Sequence, residues 1–196
     1  INDLAISCGG MTYSGRSKTG IAFILYGKSE GSPFSNIDLN SWVTSVALGF
    51  RVFGTAAFDS FGRALSGGVD INADGISDLV IGALNADPYG RAGAGTVSVI
   101  FGRSSGVWTD IDTANISPDQ GYQIYGGYQY DNLGCSVALS QDINGDGIGE
   151  IVIGVYRADP LNRSNAGEVI VIYGQVESPT VIPSQVPSAA PTLIPT

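Results

Sequence analysis

Two nine-residue stretches carry oxygen-bearing side chains at the same four places. In Asp70-Ile71-Asn72-Ala73-Asp74-Gly75-Ile76-Ser77-Asp78 and Asp142-Ile143-Asn144-Gly145-Asp146-Gly147-Ile148-Gly149-Glu150 they stand at positions 1, 3, 5 and 9, with glycine at position 6. A tight turn at that glycine points several hard oxygens at one hard cation, which is the chemistry of a calcium loop. The backbone carbonyl of position 7 completes each set. Asp70, Asn72, Asp74, Ile76 and Asp78 would hold one ion, and Asp142, Asn144, Asp146, Ile148 and Glu150 the other. An EF-hand needs an acid at position 12 and a helix leaving the loop. Position 12 is Ile81 or Ile153, inside DLVIGA and EIVIGV, which read as short strands. Acids that merely decorate a hydrophilic turn would explain one such nonamer but not two at equivalent places.

Composition narrows the chemistry further. The 196 residues include no histidine, which removes Ser-His-Asp and Cys-His catalysis and the usual zinc ligand sets. The net charge of −9 argues against nucleic acid, whose affinity comes from Lys and Arg on phosphates. Asp3, Asp70, Asp74, Asp78, Asp142, Asp146 and Glu150 make up seven of the 18 acids, so calcium would neutralise much of that excess. No run approaches the roughly 18 apolar residues of a membrane helix. Cys8 and Cys135 sit at different repeat positions, so both are expected to be small buried residues rather than a disulfide.

The elements that hold the loops repeat. Residues 49–62 (GFRVFGTAAFDSFG) align with 121–134 (GYQIYGGYQYDNLG) at a shift of 72, which brings the two loops into register, and 82–102 lie on 154–174. A clipped third copy opens the chain: Asp3-Leu4-Ala5-Ile6 matches Asp78-Leu79-Val80-Ile81 at a shift of 75, so Asp3 is the last ligand of a truncated loop. Each unit reads as four short strands between glycine-rich turns, with no helical periodicity. Strand A is expected near 61–70 and 133–142; B near 3–8, 78–83 and 150–155; C near 20–26, 95–101 and 167–173; D near 49–53 and 121–125. The fold class is therefore all-β, with propeller blades of four antiparallel strands. Residues 1–54 form a partial blade (strands B–D), 55–126 a complete blade and 127–174 a partial blade (strands A–C). About two and a half blades make a fragment of a larger ring.

Phe61-Gly62, the loop 70–78, and Gly82-Ala83 followed by GTVSVIFG resemble the FG-GAP repeat of integrin alpha subunits and their microbial relatives, over nearly all of residues 2–174. The resemblance implies a seven-bladed propeller with calcium in the loop between strands A and B. The chain departs from the pattern in places. Leu133 replaces the Phe of the FG pair, Val155 or Cys8 stands for the Ala, and Glu150 stands for Asp78.

Antiparallel connectivity puts the A–B loops on one face of such a disc and the B–C and D–A loops on the other. The second face would carry Phe58, Tyr89, Arg91, Tyr128 and Tyr130, an aromatic group suited to a protein or glycan ligand, or to shielding the blade tops. Asp87 and Arg91 recur as Asp159 and Arg163, and Asp59 recurs as Asp131. A feature repeated in every blade reads as tying loops, not as catalysis. Tyr26, Tyr125 and Tyr173 are expected between blades. After Gly174 the chain turns into QVESPTVIPSQVPSAAPTLIPT, so residues 175–196 are expected to be a disordered tail, either a linker or an O-glycosylated stalk. The sequons at Asn115 and Asn162 point weakly to secretion.

The function expected is a non-enzymatic, extracellular or cell-surface, calcium-stabilised module for adhesion or recognition. An accessory propeller of a secreted hydrolase or lyase and a structural spacer of a surface protein are the alternatives. The last blade is expected to take its strand D from upstream sequence, so that ring closure joins the two ends of the propeller.

Overall fold

The computed structural model describes residues 2–29, 35–45, 47–104 and 108–175. The expected tail lies outside the described residues beyond Gln175. Eleven strands follow one another: β1 (Leu4–Cys8), β2 (Ile21–Leu25), β3 (Gly49–Phe53), β4 (Ala64–Val69), β5 (Asp78–Ala83), β6 (Thr96–Ile100), β7 (Ile111–Asp112), β8 (Gly121–Tyr125), β9 (Leu133–Ser140), β10 (Glu150–Val155) and β11 (Glu168–Tyr173). They form three sheets, β1-β2-β3-β7, β4-β5-β6-β8 and β11-β10-β9, each an antiparallel blade except where β7 joins. Every expected strand is present; β3, β5, β8 and β10 match their expected bounds, the strand expected at 61–70 is confined to Ala64–Val69, and the others are a residue or two shorter.

The blades stack through the apolar faces of their strands. Ala22, Ile24, Phe50 and Val52 of the first blade pack against Phe61, Ile81, Ala83 and Ile100 of the second. Val80, Val97, Val99 and Phe101 on the far side of the second blade meet Leu133, Ile151, Ile153 and Val155 of the third. Leu133, where the repeat pattern has Phe, is as buried as Phe61 and fills the same place. The outward face of the first blade, Ile21, Phe23, Leu25 and Phe53, is covered by Trp42 with Ile37, Leu39 and Leu48. The third blade presents Val169, Val171 and Tyr173 to solvent, 72 residues after Val97, Val99 and Phe101.

Main-chain bonds lock one blade to the next. The Phe61 amide donates to the Thr19 carbonyl (3.1 Å), and one repeat later Leu133 donates to Ala94 (2.9 Å). The chains approach so closely there that a Cβ on Gly95, at φ +85°, would lie 2.1 Å from the Leu133 oxygen. Only glycine accepts both that φ and that contact.

Three expectations need correction. Cys8 is exposed, lying on β1, which has no strand along its other edge among the described residues; Cys135 is half-buried, its thiol donating to the Gly154 carbonyl at 3.3 Å. Tyr26 does pack against the core between the first two blades, but Tyr125 and Tyr173 are exposed. The boundary at residue 54 is also crossed. Strand β7, from the connector between the second blade's strands C and D, runs parallel to β3 and extends the first blade, with Val52 opposite Ile111 and Phe53 opposite Asp112.

Candidate functional site

Each acidic loop joins strand A to strand B, and its side chains fold back onto its own amides. In the second loop Asp142 accepts from the amides of Gly145 (2.5 Å), Asp146 (3.1 Å) and Gly147 (2.7 Å), which hold its carboxyl below the usual carboxylate range, the Gly147 bond foremost. Asp146 accepts from Ile148 N and from the Asn144 side-chain amide. Position 6 must be glycine here, since Gly75 and Gly147 adopt φ of +86° and +88°. The first loop repeats the pattern: Asp70 accepts from Ala73 N and Gly75 N, and Asp74 from Ile76 N and the Asn72 side chain.

The residues of the second loop fit a divalent cation. Glu150 is fully buried; one oxygen accepts from Ile143 N at 2.6 Å, while Oε1 has no hydrogen-bond partner. An unpaired buried carboxylate oxygen is costly unless a cation meets it. One oxygen each from Asp142, Asp146 and Glu150 lie within 4.8 Å of one another, the only such trio of acids among the described residues. In the first loop Asp78 spends both oxygens on amides, Ile71 N and Gly102 N, each at 2.8 Å. Burial, with the charges of Asp74 and Asp70 adding, pushes its carboxyl up to about 6 against those two bonds. The shorter Asp78 spends both oxygens on amides, while the longer Glu150 makes the tie to loop position 2 with one oxygen and leaves the other without a partner.

The loops also touch each other. Gly149 N donates to the Asp70 carbonyl (3.0 Å), Gln175 N donates to the Ile71 carbonyl (3.1 Å), and the Ile71 side chain is buried in the core between the second and third blades.

On the other face the B–C and D–A loops of neighbouring blades interlock. Phe58 N donates to Ser17 O and Tyr130 N to Ala92 O, both from left-handed backbone at φ +67°. Phe58, Tyr89, Tyr128 and Tyr130 are all well exposed. Arg91 is half-buried: its Nε donates to the Gly126 carbonyl at 2.9 Å and its guanidinium lies 5.1 Å from the Tyr89 ring. Tyr89 in turn meets Tyr125 edge-on, centroids 5.1 Å apart. Asp87 ties its loop through Gly93 N, and Asp159 does the same through Asn165 N.

A charged clamp around β7 escaped the sequence reading. Asp112 receives both terminal nitrogens of Arg16 (3.0 and 2.6 Å), and Asp110 is bound by Arg51 and the Thr44 hydroxyl. Trp108 stacks on Phe50 with centroids 4.2 Å apart. The signal was in the sequence: Asn36-Ile37-Asp38 and Asp110-Ile111-Asp112 recur at a shift of 74, and Asp38 and Asp112 both cap short 3-10 turns.

The FG-GAP repeat model matches residues 61–100 and 134–172. The chain is 30% identical over 152 residues to phosphatidylinositol-glycan-specific phospholipase D of Bos taurus, covering 78% of this chain and 16% of that protein. The Mus musculus enzyme is 31% identical over 171 residues, 87% of this chain and 18% of the enzyme. Integrin alpha-PS3 of Drosophila melanogaster is 31% identical over 118 residues, 60% of this chain and 10% of the integrin. The chain thus spans less than a fifth of the length of these relatives. Read with the three stacked sheets, the match makes this chain an FG-GAP repeat protein whose repeats fold as the blades of a β-propeller.

Proposed function

We propose that the chain forms part of a calcium-stabilised recognition module, extracellular or at the cell surface, that binds a protein or glycan. The carrying observation is the buried, unpaired Oε1 of Glu150 beside Asp142 and Asp146. Asp142, Asn144, Asp146 and Glu150, with the Ile148 carbonyl, would hold calcium; Asp70, Asn72, Asp74, Asp78 and the Ile76 carbonyl form the second donor set. The ion supplies charge that the clustered carboxylates need, and no catalytic step is assigned to it. What the chain's own residues do is positional: Ile71 and the Gly149 amide couple the loops to the blade interface.

Ligand recognition falls to the opposite face, where Phe58, Tyr89, Tyr128 and Tyr130 are exposed and Arg91 is half-buried. Aromatic anchors with an arginine dominate such interfaces. An extracellular setting accords with the integrin and phospholipase D relatives, and no helix among the described residues is long and apolar enough to cross a membrane. The matches to phospholipase D favour a second reading, an accessory propeller beside a catalytic domain.

Calorimetric titration with calcium tests the metal assignment: heat of binding that disappears in the double variant Asp74→Ala/Asp146→Ala supports it, and unchanged heat removes it. An array of extracellular proteins and glycans tests the face, with loss of binding expected in Tyr128→Ala and Tyr130→Ala. Binding that survives both changes but falls on altering the A–B loop surface would put the ligand on the wrong face.

A further inference from the structure

The blade repeat offers an internal comparison that assigns a second binding surface. In the first blade the outer strand β3 is not a bare edge. The segment Trp108–Ile116 lies along it: Trp108 stacks on Phe50, Ile111 pairs opposite Val52, the Asp112 carboxylate sits in the fork of Arg16, and the Thr113 hydroxyl donates to the Phe53 carbonyl at 2.8 Å. Strand β8 is the same strand one blade later, and its outer edge has no partner among the described residues.

Each receiving feature recurs there. Tyr122 stands 72 residues after Phe50 and is 38% exposed; Ile124 and Tyr125 stand for Val52 and Phe53. Arg91 stands 75 residues after Arg16, on a loop with the same turn, since Ser14 and Tyr89 have φ of +49° and +54° and the glycines after them +77° and +76°. Arg16 also donates to the carbonyl of Thr55 beside the end of β3, and Arg91 donates to Gly126 beside the end of β8. The difference is the acid. Arg16 spends its terminal nitrogens on Asp112, whereas Arg91 makes its one hydrogen bond through Nε and has no carboxylate partner among the described residues. Arg51, which holds Asp110, is replaced at this place by Gln123, so only one acid is called for.

We propose that the β8 edge and Arg91 form a docking site for an extended segment of another polypeptide, bearing an aspartate directly after a branched apolar residue. The segment runs parallel to β8 and adds main-chain bonds at Ile124 and Tyr125. Its carboxylate is received by the Arg91 fork, and an aromatic residue four positions before the aspartate rests on Tyr122. Strand addition supplies affinity and the charged fork fixes register. This surface shares Arg91 with the aromatic face proposed above but needs neither Phe58, Tyr128 and Tyr130 nor calcium chemistry.

The test is a fluorescence-anisotropy titration of the full 196-residue chain with a labelled peptide of the sequence Trp108–Ile116. Saturable one-to-one binding is expected, weakening as salt rises. The same peptide carrying Asp112→Asn should bind roughly tenfold more weakly or worse, since a bond to a charged group is lost. Arg91→Gln in the protein should give the same loss, with no further loss when both changes are combined and partial recovery in Arg91→Lys. The peptide variant keeps the test valid if Arg91→Gln fails to fold. Absence of saturable binding, equal binding of the two peptides, or binding abolished by Arg16→Gln but not by Arg91→Gln would overturn the proposal; the last outcome would mean displacement of β7 from its own site.

Discussion

The contrast between Asp78 and Glu150 turns on one methylene. Both carboxylates reach back to the amide of loop position 2, but only Glu150 keeps an oxygen free. Three acids within 4.8 Å repel one another by roughly 3 kcal/mol per pair at an effective dielectric near 20. Glu150→Gln removes that charge while keeping an acceptor for Ile143 N. It is expected to weaken calcium binding at the second loop at least about tenfold, yet leave the metal-free protein as stable or slightly more so; calorimetry and denaturant melts check both. Position 4 offers a second test. Ala73 is held at φ +62° where its twin is Gly145 at +86°, so Ala73→Gly relieves about 1–2 kcal/mol of left-handed strain against about 0.5–1 kcal/mol of added chain entropy. A small net gain in stability is expected. Asp110 supplies the pH dependence. Burial alone would raise its carboxyl, but hydrogen bonds from Arg51 and Thr44 outweigh it and hold the group below its ordinary value. Its stabilising contribution is therefore complete above about pH 4 and is lost as pH falls through the lowered value. Stability curves on the acid side should flatten in Asp110→Asn.

At the level of strands, alternation and glycine spacing carried most of the information. DLVIGA and EIVIGV became β5 and β10 because both of their faces are buried, and the 72-residue shift put their partners in register. The face assigned to each loop was equally legible, since antiparallel connectivity leaves no choice. What the sequence hid was β7. A two-residue strand has no periodicity to read, and its pairing depends on Arg16, which lies 96 residues from Asp112. Exposure of Tyr125 was hidden for a related reason: its counterpart Phe53 is buried, while the β8 edge has no partner strand among the described residues. The close approach of Gly95 to the third blade makes a sharp prediction. Gly95→Ala drives a Cβ into the Leu133 carbonyl, where only main-chain movement can relieve the clash. A loss of about 3 kcal/mol or more is expected in denaturant melts, against under about 1 kcal/mol for Gly127→Ala, where nothing lies within 4 Å.

For the molecule as a whole, the blades form a stack whose third face repeats, in Val152, Val169, Val171 and Tyr173, the surface by which the second blade holds the third. Such a face matches a further blade, and the chain by itself is expected to self-associate through it in sedimentation experiments. Calcium held as proposed would bear on the same stack, because the loops are bonded to each other and Ile71 is wedged between blades. At an affinity of about 10⁻⁴ M, millimolar calcium adds about 1.4 kcal/mol per loop, and two loops raise the melting temperature by roughly 6–10 °C. The direct measurement is the thermal melt of the 196-residue chain in millimolar calcium and in chelator, with Asp146→Ala alongside. The account predicts a higher melting temperature in calcium, a shift cut by about half in Asp146→Ala; melting at the same temperature in calcium and in chelator would contradict it.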